Sequence, residues 1–391
     1  MAGNGYLGTK VQISELEADL QKSLGPEFHL KESDLTEKAN FDGNTSLMAT
    51  FSWEGKKYLL KLPTWSKLVS LYGAGAADSM AGLVKLVHNR EVDFFQAILP
   101  KIPRRIVTPQ FVCAKKFEAG LDSAYLVMEL ANGKNPFTHE FAGIEATKKI
   151  LDDLAALHAV DAHFTKEKHD HFFDASPAVM SILDIQLNKD ALKSACDNLA
   201  AFLGDDSKQL FEQIFKLAAE DGLVSKDQLL GVPKKLGAVQ SLIHADLWRC
   251  NVLWTDSTNG EHQLDAVLDW QGWRPGNPGE DLAKLYLFAL ENESRKEHWA
   301  ELLHYYYNQY KQYHGEKTPA YTEAQIQKAF RLSLPACALI VLSYNPRNHE
   351  NDIKKGLSEA EHASAKAKIQ ETIREIMTEV RDILEAQARE A

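Results

Sequence analysis

The chain has few cysteines, no long apolar run and no excess of positive charge, and each shortage excludes something. Its four cysteines, Cys113, Cys196, Cys250 and Cys337, stand far apart. No C-x-x-C pair or metal-ligand spacing joins them, so neither a disulfide framework nor a zinc site is expected, and isolated thiols suit a reducing compartment. The longest apolar runs, such as ALIVL at 338–342, fall far short of the roughly 20 residues that span a bilayer. The first residues, MAGNGYLGTK, contain no apolar core of the kind a signal peptide needs. A net charge of -11 gives no basic face for nucleic-acid phosphates. Together these absences predict a cytoplasmic protein that works on neither membrane nor nucleic acid. They leave room for a nucleotide held locally through a metal ion.

What is present is a large globular composition. With 391 residues, 45% hydrophobic and 25% charged, the chain can bury a sizeable core in two or three domains. Ser14 and Glu17 fit a capping box for a helix to Leu24, with Leu16, Leu20 and Leu24 on one face. The period then changes. LMATFSW puts Leu47, Ala49, Phe51 and Trp53 on one face, Glu54-Gly55 makes a turn, and KKYLLKLP returns as a second strand. Lys61 stands near the end of that strand among leucines, where a lysine is unexpected without a partner. A helix over Met80–Leu99 turns Leu83, Val84, Val87, Phe94 and Ile98 inward, with Glu91 near that stripe. A buried Lys61–Glu91 pair and a solvated Glu91 are both open readings.

The strand AYLVMEL, ending in Met128, Glu129 and Leu130, runs into Ala131-Asn132-Gly133. That pattern predicts an interlobe hinge whose backbone could meet an adenine edge. Residues 1–130 then form a strand-rich first domain and 131–391 a helical second one. In the second, His158 reads as a core histidine, and Ile369, Ile373, Ile376, Val380 and Ile383 read as a packing stripe, with a coiled-coil dimer as the alternative.

The chemistry concentrates in IHADLWRCNVLW, residues 243–254, which spaces His244, Asp246 and Asn251 as H-x-D-x-x-x-x-N. In-line phosphoryl transfer needs a carboxylate to orient the attacking hydroxyl and an amide oxygen to hold a metal, and Asp246 and Asn251 supply both. Asp269, in AVLDW, stands where a second magnesium ligand would follow. Lys61 would grip the α- and β-phosphates and pair with Glu91. Gly43, Asn44 and Thr45, in FDGNTS, could lay backbone amides over phosphates. That loop itself carries neither G-x-G-x-x-G nor a Walker pattern, and an ordinary turn is the alternative.

One spacing limits the acceptor. Protein kinases need a long segment after the metal-binding aspartate to hold a peptide, whereas here a helix begins within about a dozen residues of Asp269. Ala245 also replaces the arginine that protein kinases usually carry. The acceptor is therefore expected to be a small molecule. Trp248, Trp254, Trp270, Trp273 and Tyr286 flank the motif and form either an aromatic wall for it or part of the core.

The segments HADLWRCNVLW, LDAVLDWQGWRPGNPGEDLAKL, YLVMEL and LLKLP with NREVDFF resemble the choline-kinase-like branch that includes ecdysteroid kinase-like proteins and uncharacterised nematode members. More distantly they are similar to choline/ethanolamine kinases and aminoglycoside phosphotransferases. The resemblance implies a two-lobed, protein-kinase-like α+β fold, with a small antiparallel sheet in the first lobe and a large, mostly helical second lobe. It also implies ATP, Mg2+ and a hydroxyl acceptor of steroid-like, glycoside or amino-alcohol type, in a monomer or weak homodimer. By the same resemblance Asp246 is the catalytic base, Asn251 and Asp269 are the metal ligands, Lys61 holds the phosphates, Glu91 orients it, and Met128–Leu130 lie along the adenine. Ala245 departs from the family's H-G-D. A methyl group is tolerable there at φ < 0 and strained at φ > 0, which keeps a nucleotide-binding pseudokinase as the alternative.

Overall fold

The alternation over residues 46–63 becomes a β-hairpin in the computed structural model, which describes residues 5–38, 45–73, 75, 77–119, 122–160, 180, 182–256 and 262–390. After β1 (Thr36–Lys38), β2 (Ser46–Trp53) pairs with β3 (Lys56–Pro63). Glu54 and Gly55 link them with φ of 47° and 77°, as a two-residue hairpin turn requires. β4 (Phe111–Lys115) and β5 (Tyr125–Glu129) complete an antiparallel sheet of order β1-β2-β3-β5-β4. Alternation along β3 sends Tyr58, Leu60 and Leu62 into a core with Leu16, Leu20, Phe28 and Phe51. Lys61 is thereby sent to the opposite face.

Helix α1 (Ile13–Leu24) supplies Leu16 and Leu20 to that core, but it does not start where the capping box predicts. Its N-cap residue is Gln12, without a side-chain cap. Glu17 instead accepts from the Leu30 amide at 3.3 Å and bonds His29 at 3.0 Å, so a distant contact has taken the side chain the box would use. A short helix α2 (Ser66–Tyr72) precedes α3 (Ala77–Asp93), which continues as a single π turn, Phe94–Ile98. Val84, Val87, Glu91, Phe94 and Ile98 are all buried.

Contacts divide the chain into two compact units. One holds Met1–Pro100, Thr108–Asn132 and Ala266–Gly272, and the other Lys101–Val107, Gly133–Asp265 and Trp273–Ala391. The second unit is mostly helical: α4 (Ile144–His158), α5 (Lys189–Leu203), α6 (Lys208–Phe215), then, after two short strand pairs, α7 (Pro278–Ala289), α8 (Asn292–His314), α9 (Glu323–Leu342), α10 (Asn345–Lys354) and α11 (Glu359–Glu390). The strand pairs are β6 (Ser241–Ile243) with β9 (Arg274–Gly276), and β7 (Val252–Asp256) with β8 (His262–Val267). The class is α+β, with a small antiparallel sheet and a large helical part, as the sequence predicts.

Helix α7 positions the site. It begins at Pro278, within the dozen residues after Asp269 that the sequence predicts, because Asn277 and Glu280 form a capping box and proline is favoured at the first helical position. All twelve of its residues are buried, so it has no solvent face. A Cβ on Gly279 would lie 2.3 Å from the Ala329 carbonyl carbon of α9, and only glycine permits so close an approach. Ile369, Ile373, Ile376, Val380 and Ile383 of α11 are buried inside the chain, which makes them a packing stripe. All four cysteines are free thiols. No single helix among the described residues is long and apolar enough to cross a membrane.

Candidate active site

In the first unit, Lys61 Nζ lies 2.7 Å from Glu91 Oε2 and 2.7 Å from Asp269 Oδ1. The side chains are 13%, 2% and 26% exposed respectively. Burial would lower the Lys61 pKa, but the charges of Asp269 and Glu91 more than offset it and raise it, so the ammonium is kept. Burial, with Asp269 nearby, pushes Glu91 upward against the pull of Lys61. A lysine on the third strand paired with a glutamate of the long helix is the arrangement a kinase first lobe uses for phosphates.

Asp269 reaches this place through a non-local contact. Trp270 stacks on Phe94 at 4.0 Å with planes 4° apart, and its Nε1 donates to Thr108 Oγ1 at 3.0 Å and Val267 O at 3.1 Å. Asp269 itself has φ 61°, a conformation aspartate tolerates better than most residues. Its Oδ2 accepts from Gln271 Nε2 at 2.9 Å, a contact sequence reasoning did not foresee.

Gly43 and Asn44 lie outside the described residues. Thr45 uses its carbonyl to accept from the Thr64 amide at 2.8 Å. Met128 is buried in the sheet. The amides of Glu129 and Leu130 already donate to Gln110 O and Lys57 O, each at 2.8 Å, so an adenine edge would have to meet other groups.

In the second unit, the motif loop follows β6. Asn251 Nδ2 donates to Asp246 O at 2.8 Å and Asp246 Oδ2 at 3.1 Å. With its nitrogen so committed, the amide oxygen of Asn251 is the atom turned away from Asp246. The Asp246 amide donates to His244 Nδ1 at 3.2 Å. Asn135 Nδ2 donates to Cys250 O at 2.6 Å, and Arg249 Nη1 donates to Phe137 O at 3.4 Å. Burial lowers the Arg249 pKa to about 10.

Asp281 braces the loop from α7. Its Oδ2 accepts from His244 N at 2.7 Å and its Oδ1 from Ala245 N at 2.9 Å. His158, fully buried, bonds Asp281 Oδ2 at 3.1 Å and Tyr306 Oη at 2.8 Å. Burial would raise the Asp281 pKa, but the hydrogen bond and charge of His158, with His244 and Lys284, lower it to about 2. Lys284 Nζ donates to Ala245 O. Sequence reasoning missed Lys284; the available signal was a lysine three residues after Asp281 in an otherwise apolar helix. Ala245 has φ 65°, the strained side of the condition posed by its alanine.

The aromatic wall is mostly core. Trp254, Trp270, Trp273 and Tyr286 are 0%, 2%, 1% and 6% exposed, because large rings gain most from burial. Trp248 is half-buried and meets Tyr344, which the sequence did not single out, at 5.8 Å.

In the first unit one ammonium is shared by two carboxylates, and the surplus negative charge beside the Asp269 oxygens suits a hard cation. Among the described residues no group of three or more His, Cys, Asp or Glu could hold a metal alone. Magnesium, which keeps waters and uses one or two carboxylates plus phosphates, takes oxygen donors of the kind Asp269 carries. One G-x-G-x-x-G match exists, Gly3 to Gly8, and a dinucleotide would need its amides free. The amides of Gly5, Tyr6 and Gly8 donate instead to Thr9 O, Val11 O and Gly5 O.

Comparison with known proteins adds the following. The family model DUF1679, described as "Uncharacterized oxidoreductase dhs-27", matches residues 1–388. The Caenorhabditis elegans protein "Uncharacterized oxidoreductase dhs-27" is 26% identical over 319 residues, 75% of this chain and 37% of that protein. The C. elegans "Uncharacterized kinase-like protein D1044.1" is 28% identical over 149 residues, 37% of this chain and 38% of that protein. The matches thus span little more than a third of either relative, 37% and 38%. Among solved structures, an ethanolamine kinase of Plasmodium vivax aligns over 95% of this chain and 90% of its own, with 14% identity and a TM-score of 0.44.

Proposed function

This chain belongs to the DUF1679 family, and we propose that it transfers the terminal phosphoryl group of ATP to a hydroxyl of a small organic molecule. The observation that carries the reading is Lys61 held at 2.7 Å by both Glu91 and Asp269. In this reading Lys61 grips the nucleotide's phosphates and Glu91 orients it. Asp269 and Asn251 are the oxygen donors for magnesium, which would neutralise charge on the phosphates. Asp246 accepts the proton of the acceptor hydroxyl as its oxygen attacks phosphorus and the bond to ADP breaks. The kinase-like name of one relative supports the reading, as does the short path from Asp269 to α7, which has no room for a peptide platform. The word oxidoreductase in the family's description gains no support from the one dinucleotide-like glycine pattern in the sequence, since the amides of its Gly5, Tyr6 and Gly8 donate to nearby backbone carbonyls.

Finer placement in the ecdysteroid-kinase-like branch, with a steroid-like, glycoside or amino-alcohol acceptor, belongs to the same proposal. So does a reducing, ATP-containing compartment, consistent with four free thiols. Ala245 at φ 65° favours a second reading, nucleotide binding without transfer. Purified protein with Mg2+ and ATP is expected to show a thermal shift and a turnover stimulated by one member of a panel of small hydroxyl compounds. Asp246→Asn should abolish turnover while retaining ATP binding, and Asp269→Ala should weaken magnesium-dependent binding. Absence of any thermal shift overturns both readings; binding without consumption of any acceptor supports the second.

A further inference from the structure

We infer that Lys284 is a positioning residue for the loop that carries Asp246, and that it acts by holding Ala245 in a backbone conformation alanine resists. The residue sits at φ 65°, where a Cβ crowds the following carbonyl and only glycine is at ease. Nothing about Ala245 itself favours this. Both of its backbone polar groups are nevertheless tied to α7. Its amide donates to Asp281 Oδ1 at 2.9 Å, and its carbonyl accepts from Lys284 Nζ. Asp281 and Lys284 are three residues apart on one helix, so they share a face. They are 0% and 8% exposed, which shields both bonds from competing water.

The two contacts act on different peptide planes. Asp281 holds the planes that carry the His244 and Ala245 amides. Lys284 holds the plane whose other end is the Asp246 amide, and so it sets the direction from which the Asp246 side chain leaves the loop. Without Lys284 that plane can turn and let Ala245 relax to negative φ, carrying Asp246 with it. Asp281 would remain compensated by His158, so removing the lysine does not strand a buried carboxylate. The role also accounts for a lysine inside a helix that is buried on every side.

The kinetic part of this inference rests on the phosphotransfer reading; the structural part does not. Deuterium exchange of the peptide covering 243–251 is measured by mass spectrometry for Lys284→Met, Lys284→Gln and Lys284→Arg, each with and without Ala245→Gly. Lys284→Met is expected to raise exchange there about tenfold, the factor that matches the left-handed penalty on alanine. In the Ala245→Gly background it should change exchange less than about twofold, because that conformation then carries no such penalty. Lys284→Arg, which keeps the donor, should stay near wild type. Turnover should fall about tenfold with KM for ATP unchanged, and Ala245→Gly should rescue it. Should Lys284→Met fail to fold, Lys284→Gln, with a donor on a shorter stem, gives the same comparison. Equal exchange in wild type and Lys284→Met, or an equal rise in both backgrounds, overturns the inference. The coupled exchange pattern without any turnover keeps it and overturns the phosphotransfer reading instead.

Discussion

Replacing Lys61 with methionine isolates the electrostatic logic of the first unit without any assay of activity. Lys61 is the ammonium that both Glu91 and Asp269 contact, at 2.7 Å each. Asp269 is 26% exposed and keeps its bond from Gln271, so it can turn to water. Glu91, at 2% exposure, cannot. Leaving such a carboxylate uncompensated costs about 3–5 kcal/mol. Without the pull of Lys61 the Glu91 pKa, already pushed upward by burial, rises further above its unfolded value near 4.3, so the folded state holds a proton that the unfolded chain releases. Stability is consequently greatest below that unfolded value and falls as pH rises towards neutrality. Denaturation by urea, followed by a probe in the first unit, should show the deficit at pH 7.5 shrinking by pH 5. Lys61→Met with Glu91→Leu, which swaps the pair for apolar groups, should recover to within about 1 kcal/mol of wild type. A loss under about 1 kcal/mol for Lys61→Met, or additive effects of the two changes, would refute the reasoning.

Three further outcomes follow from named residues. His88 is 3% exposed, and burial lowers its pKa to about 4. Its contribution is complete above the unfolded value near 6.5 and declines as pH falls towards 4, so wild type should lose about 2 kcal/mol more than His88→Gln between pH 7 and 5 in urea titrations. Ala245→Gly should stabilise the second unit by about 1 kcal/mol, read as a higher melting temperature, because φ 65° then costs nothing. Gly279→Ala places a methyl 2.3 Å from the Ala329 backbone and should cost about 3 kcal/mol or more, whereas Ala283→Gly in the same helix should cost about 1 kcal/mol.

Much of the first unit was legible because its signals are local. Alternation over 46–63 with Glu54-Gly55 specifies a hairpin and sends Lys61 away from the α1 side. The stripe of Leu83, Val84, Val87, Phe94 and Ile98 specifies a helix with Glu91 near its inner face, although Leu83 is only half-buried. Where local signals fell short or left two readings open, the cause is shared. Ser14 and Glu17 spell a capping box, but a contact 13 residues away takes Glu17. Trp254, Trp270, Trp273 and Tyr286 spell an aromatic wall equally well as a core, since a ring's type says nothing about which side of it is filled.

By itself, then, the sequence determined element type and the inventory of chemical groups: a lysine on the strand face opposite Leu60 and Leu62, a glutamate near an apolar helical stripe, and an aspartate and asparagine on one short loop. Period and turn chemistry act over a few residues and need no knowledge of the remainder. Only tertiary structure decided what those groups meet. Lys61 contacts Asp269 across 208 residues of chain because Trp270 stacks on Phe94. Ala245 holds a left-handed φ because α7, buried on all sides, grips its amide and carbonyl with Asp281 and Lys284. No local preference encodes either contact. The burial of α7 and of the Phe94–Trp270 pair does.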